Sequence, residues 1–205
     1  SFYAVAAERC RAHDALLASD EAYSELWFGD GPPPGALQLG DLTNVLAVNT
    51  LSKRSSMTGY RSGFAAGDPT LIGALKALRP SVGVTPQEVV QKASVAAWHD
   101  ETHVEENRRR YGAKRRVFLD LFERRGIEVA GSEATFYLWV KVPGGHPSLD
   151  WAVELLDRAG VMVAPGSFFG PEGEGFVRIA MVPTLADCRE AADAIDGALA
   201  DGVRA

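Results

Sequence analysis

The sequence predicts an α/β chain, on three observations. Short apolar runs of strand length recur at 15–19, 45–48, 135–142, 161–164 and 176–182. Longer segments among them carry apolar residues at steps of three and four, the spacing of a helix with one buried face. Glycine and proline separate the segments, as at 29–35, where three consecutive prolines demand a loop.

Taken in order, 2–14 reads as an amphipathic helix with Phe2, Val5, Ala6 and Cys10 on one side. The strand ALLAS follows and runs into Asp20. The next strand is 45–48, and 60–66 makes another from small and aromatic residues. Pro69 suits the first turn of a helix reaching Leu78. Residues 80–86 are a break, and Pro86 opens a second helix to Trp98. One long helix is expected over 101–125, with Val104, Tyr111, Phe118 and Phe122 on a stripe and Leu121 beside it. Its remaining faces, rich in Arg and Glu, read as solvated, and Gly126 stops it. Beyond this connector come the strand TFYLWVKV, a helix capped by Ser148 and ended by Gly160, and two further strands. The last helix starts at a capping-box-like Thr184/Asp187 pair and carries Leu185, Cys188, Ala192, Ile195 and Leu199.

Composition narrows the function. A length of 205 residues allows one large domain or two small ones, and 46% hydrophobic residues suffice for a core. A net charge of −6 argues against nucleic acid or an anionic membrane as the main partner. Cys10 and Cys188 form no paired motif, so no disulfide framework is implied and a reducing cytoplasm fits. No apolar run has membrane-spanning length.

The chemistry concentrates in 49–63, NTLSKRSSMTGYRSG. A strand delivers Lys53 into a run of hydroxyls at Thr50, Ser52, Ser55 and Ser56, with Arg61 eight positions on. Hydroxyls and a guanidinium suit a phosphate dianion. A lysine held beside bound phosphate is what a pyridoxal phosphate Schiff base needs. Three decoys are set aside. His99-Asp100-Glu101-Thr102-His103 has the wrong order for an HExxH zinc helix, so no metal is assigned. The glycines of 166–175 precede no helix and are not a dinucleotide fingerprint. The aromatics of TFYLWV could line a pocket, though strand aromatics are more often core.

The segment SKRSSMTGYRSGF resembles the lysine signature of the class I/II aminotransferases, fold-type I enzymes dependent on pyridoxal 5′-phosphate. That pattern is a hydroxyl, two residues, a lysine and an arginine eight on, here Thr50, Lys53 and Arg61. Upstream, ASDEAY resembles the family's aspartate–tyrosine pair, here Asp20 and Tyr23. Downstream, APGSFFG with GFVRIAM resembles its carboxylate-arginine segment, here Arg178. The resemblance implies that Lys53 is joined covalently to the cofactor and moves the substrate proton. It implies that Asp20 pairs with the ring nitrogen, that Tyr23 bonds the phenolic oxygen, that Thr50, Ser52 and Arg61 hold the phosphate, and that Arg178 binds the substrate carboxylate. Simpler roles remain open: a helix cap for Asp20, local turn bonds for Thr50 and Ser52, a structural ion pair for Arg178.

The resemblance further implies a mainly parallel, helix-flanked sheet from the large cofactor domain over 1–108 and a smaller α+β domain over 109–205. It implies a homodimer acting on an amino acid and a 2-oxo acid. Because family members are nearly twice as long, the chain is expected to be the C-terminal portion of a longer enzyme. The run from SKRSSMTGYRSGF to AAWHDETHVEENRRRY is especially similar to succinyldiaminopimelate transaminases, which implies N-succinyl-diaminopimelate with glutamate and 2-oxoglutarate as substrates. Aspartate- or alanine-type transfer, C–S lysis, an inactive fragment and a ligand sensor are the alternatives.

Overall fold

The computed structural model describes residues 2–83 and 85–200. The chain divides into two compact units, 1–107 and 108–205.

The first unit begins with α1 (Phe2–Ala12), which leads into β1 (Leu17–Asp20). β1 pairs in parallel with β2 (Val45–Thr50), and β2 pairs antiparallel with β3 (Gly63–Gly67), so β2 is central. Val45 and Ala47 alternate inward from β2 onto Ala7 and Ala36, with Tyr3, Leu17, Leu39 and Leu42 packed around them. A four-residue helix, α2 (Leu51–Arg54), follows β2 without a break. The next strand starts later than its composition predicts. Arg61 adopts left-handed φ (51°), and only at Gly63 does the backbone extend.

Asp68 caps α3 (Pro69–Val82) through Thr70 N–H at 2.7 Å, and also accepts Asn44 N–H at 2.8 Å. These backbone bonds hold its carboxyl below the ordinary aspartate value. The expected stop at Leu78 is overrun: α3 continues through Pro80, which near a helix end forfeits one amide bond without ending the last turn. The following α4 (Glu88–Trp98) begins two residues after Pro86 rather than on it.

Helix α5 (Thr102–Arg124) passes from the first unit into the second. Val104, Phe118, Leu121 and Phe122 are buried, as their spacing requires, and Tyr111 stacks on Phe136 at 5.3 Å. The second unit holds an antiparallel sheet in the order β4 (Val129–Ala130), β5 (Tyr137–Lys141), β7 (Phe176–Ala180), β6 (Ala164–Pro165). The expected strand at 161–164 shrinks to β6, because only Ala164 and Pro165 pair with β7. Leu138, Val140, Val177 and Ile179 point into a core shared with Trp151 and Leu155 of α6 (Ser148–Ala159) and Cys188 and Ile195 of α7 (Leu185–Ala200).

The α6 cap differs from expectation. Ser148 is the first helical residue, and Glu174 accepts its N–H at 2.6 Å and its hydroxyl at 3.0 Å. A carboxylate from a distant turn therefore does the capping. At α7 the Thr184/Asp187 box forms with both reciprocal bonds, at 3.0 and 3.2 Å. Cys10 and Cys188 are free thiols. Among the described residues, no helix is long and apolar enough to cross a membrane.

Candidate active site

The site is built at the carboxyl ends of β1 and β2. Parallel strands present their C-terminal ends together, and open α/β sheets bind ligands there. Asp20 is the last residue of β1 and registers with Val48, two residues before the end of β2. Its exposed carboxylate accepts Ala22 N–H at 3.1 Å, a local turn bond. Neighbouring Glu21 is committed elsewhere, accepting the Ser19 hydroxyl at 3.1 Å and Ala36 N–H at 2.7 Å.

Lys53 is the third residue of α2, half-buried, and its Nζ lies over the Tyr23 ring, 5.7 Å from the centroid. A cation placed on that face is favoured by the ring's charge distribution. Thr50 is the N-cap of α2: its hydroxyl oxygen accepts Ser52 N–H at 3.1 Å. The same hydroxyl reaches the Ser62 carbonyl at 2.8 Å and the Ser52 hydroxyl at 2.9 Å. Arg61 is exposed and donates to the Thr58 carbonyl at 3.1 Å. It lines a groove of about 850 Å³ with Asn49, Tyr60, Phe64 and Arg79. The first unit thus brings Lys53 and Tyr23 together and joins Thr50 with Ser52, while Arg61 faces the groove.

Arg178 belongs to the second unit. It lies opposite Trp139 in the β5–β7 register, on the face away from the core. Its guanidinium is between the rings of Tyr137, at 4.2 Å, and Phe169, at 4.5 Å. Its buried Nε has no hydrogen-bond partner among the described residues. The residue is therefore not locked into an ion pair through that atom, and a carboxylate would satisfy it. Tyr137 and Trp139 are consequently not core aromatics, contrary to expectation. Strand alternation puts Leu138 and Val140 inward and leaves these two rings beside Arg178 and Phe169.

Residues missed in the sequence surround the Lys53 turn. Arg54 is 2% exposed, donates to the Ala97 carbonyl at 2.9 Å, pairs with Glu101 and lies over Trp98. Asn107 Nδ2 donates to the carbonyls of Lys53 at 3.0 Å and Arg54 at 3.1 Å. His103 Nε2 meets the Ser55 hydroxyl at 2.8 Å, while its Nδ1 meets Asp100 at 3.0 Å. The His103 hydrogen bond holds the Asp100 carboxyl below its ordinary value. At the start of α5, Glu105 is exposed as expected, while His103 and Asn107 are half-buried against the lysine turn. The only sequence signal of that contact was the histidine-rich stretch set aside as a zinc decoy.

This fold, with a lysine in the short helix that follows a central strand, defines a fold-type I pyridoxal phosphate enzyme scaffold. The family model for class I and II aminotransferases matches residues 4–195, and the chain belongs to that family. An LL-diaminopimelate aminotransferase of Nitratidesulfovibrio vulgaris is 36% identical over 197 residues, 95% of this chain and 51% of the relative. An aminotransferase structure from Neisseria meningitidis superposes with a TM-score of 0.87 at 38% identity, covering 94% of this chain and 52% of the other. A probable N-succinyldiaminopimelate aminotransferase of Thermus thermophilus superposes with a TM-score of 0.86 at 30% identity, over 96% and 53%. The chain spans about half the length of the curated relatives it matches. Class I and II aminotransferases use pyridoxal phosphate.

Proposed function

We propose that the protein containing this chain moves an amino group between an amino acid and a 2-oxo acid by ping-pong chemistry. The observation that carries this reading is the half-buried amine of Lys53 over Tyr23, one strand from the carboxylate of Asp20. The set fits the cofactor's chemistry: an amine for an aldehyde, a carboxylate for a pyridine nitrogen, a phenol for a phenolic oxygen, hydroxyls and a guanidinium for a phosphate. When bound, the cofactor supplies an electron-accepting ring that stabilises negative charge at substrate Cα.

The chain's residues would do the rest. Lys53 Nζ takes and returns the proton at substrate Cα. Asp20 keeps the ring nitrogen protonated, and Tyr23 donates to the phenolic oxygen. Arg61, with the Thr50 and Ser52 hydroxyls, holds the phosphate. Arg178 grips the substrate α-carboxylate and so orients the Cα–H bond. In this reading 1–108 is part of the larger cofactor domain, 109–205 is the smaller domain, and the working enzyme is a cytoplasmic homodimer.

For the donor we favour N-succinyl-diaminopimelate, with glutamate and 2-oxoglutarate as the second pair. The Thermus neighbour's name supports that substrate, and the Nitratidesulfovibrio relative's name supports unsuccinylated LL-diaminopimelate. The full-length protein, loaded with pyridoxal phosphate, should be offered both compounds, aspartate and alanine, with 2-oxoglutarate as acceptor. Glutamate should form fastest from the succinylated donor, and Lys53→Ala should abolish it. Faster turnover of aspartate would overturn the substrate. Release of ammonia and pyruvate without an acceptor would replace transfer by C–S lysis.

A further inference from the structure

We propose that Arg54 is a positioning residue that sets the orientation of Lys53, with Asn107 securing the end of the same turn. The inference rests on the aminotransferase reading, in which Lys53 is the reacting amine.

A helix of four residues is too short to hold itself. Thr50 fixes its start, and the structure spends three further side chains on its end. Asn107 satisfies the carbonyls of Lys53 and Arg54, which α2 leaves without intrahelical partners. Arg54 is enclosed. One terminal nitrogen donates to Ala97 O at 2.9 Å, the other pairs with Glu101, Glu25 lies 3.6 Å from Nε, and Trp98 covers the plane at 4.8 Å. Ser55, which closes the turn, takes His103 at 2.8 Å.

Burying a guanidinium costs desolvation, and an apolar side chain of similar volume would often stabilise as well. What a planar fork adds is a fixed direction. Neighbouring helical residues diverge by roughly 100° around the axis. Locking Arg54 inward on α4 and the start of α5 therefore holds Lys53 on another side of the turn, over Tyr23. If Arg54 loses its grip, α2 is free to roll, and the Lys53 amine moves with it.

The test uses the full-length protein with pyridoxal phosphate and the variants Arg54→Met, Arg54→Lys and Asn107→Ala. Thermal unfolding checks folding. Borohydride trapping followed by peptide mass spectrometry reads how fast Lys53 acquires the pyridoxyl mark, and steady-state kinetics separates kcat from KM. Both Arg54 variants should slow trapping and lower kcat by about tenfold or more, the scale expected for a misplaced reacting group. KM for the amino donor should change by less than about threefold, because ground-state binding is untouched. Folded Arg54 variants that trap and turn over at the unmutated rate overturn the proposal. Should they not fold, Asn107→Ala decides on the same measurements, with a slowed mark supporting and an unchanged mark overturning it. If the unmutated protein takes no mark at Lys53, this inference and the aminotransferase reading fall together. A normal mark with unchanged variants removes this inference alone.

Discussion

Thr50→Val isolates what the hydroxyl at the head of the lysine turn contributes. Valine keeps the branched shape and suits the extended backbone there (φ −149°, ψ 150°), so the change removes hydrogen bonding and little else. Ser52 N–H loses its acceptor at 3.1 Å, a cap worth about 1 kcal/mol. The Ser62 carbonyl loses a donor at 2.8 Å but keeps Leu51 N–H at 3.1 Å. It is not orphaned, so that bond adds only about 0.5–1 kcal/mol. The total, about 1.5–2 kcal/mol, corresponds to a fall of about 3–8 °C in Tm for a chain of this size. Circular-dichroism melting without cofactor measures it, with Thr50→Ser as the control that retains the oxygen. Equal melting of the valine variant and the unmutated protein would refute the reasoning. A fall in the serine variant alone would also refute it, since the methyl that valine keeps would then be the stabilising group.

Other expectations follow from the same geometry. Gly63→Ala places a Cβ 2.4 Å from the Asn49 carbonyl oxygen, so β2 must shift just ahead of Lys53; a loss of about 1–3 kcal/mol in urea unfolding is expected. Leu155→Ala empties a fully enclosed position beneath the second sheet and should cost about 2–5 kcal/mol by the same measurement. Asp68 has a folded-state pKa below its unfolded one, so its contribution is complete above about pH 4 and fades as pH falls through the lowered value. Tm measured from about pH 6 to about pH 2 should drop over the acid end, and Asp68→Asn should flatten that drop.

Much of the chain was legible because local physics dictates it. The stripe of Val104, Phe118, Leu121 and Phe122 needs only the helical period, and Gly126 and Gly160 take the left-handed conformations that end their helices (φ 66° each). Thr184 and Asp187 are three residues apart, so their box forms within one turn. Errors fell where partners are remote. Ser148 cannot be told from an N-cap until Glu174, 26 residues away, is seen to take its amide. Residues 161–163 have strand composition, but pairing is a property of the neighbouring strand.

The candidate site divides along the same line. Strand ends and short spacings drew attention to Lys53 with its hydroxyls and Arg61, and the resemblance to the aminotransferases named Asp20, Tyr23, Thr50, Ser52 and Arg178 as candidates beside them. Burial and register were decided only in three dimensions. Arg54 looked like any arginine beside a lysine, yet Ala97, Trp98 and Glu101, over forty residues on, enclose it. Tyr137 and Trp139 became neighbours of Arg178 through cross-strand pairing, not through their own propensity. A chain records which groups it carries and in what order. Which of them lose their water, and against whom, is settled by packing, because desolvation depends on every atom that arrives nearby.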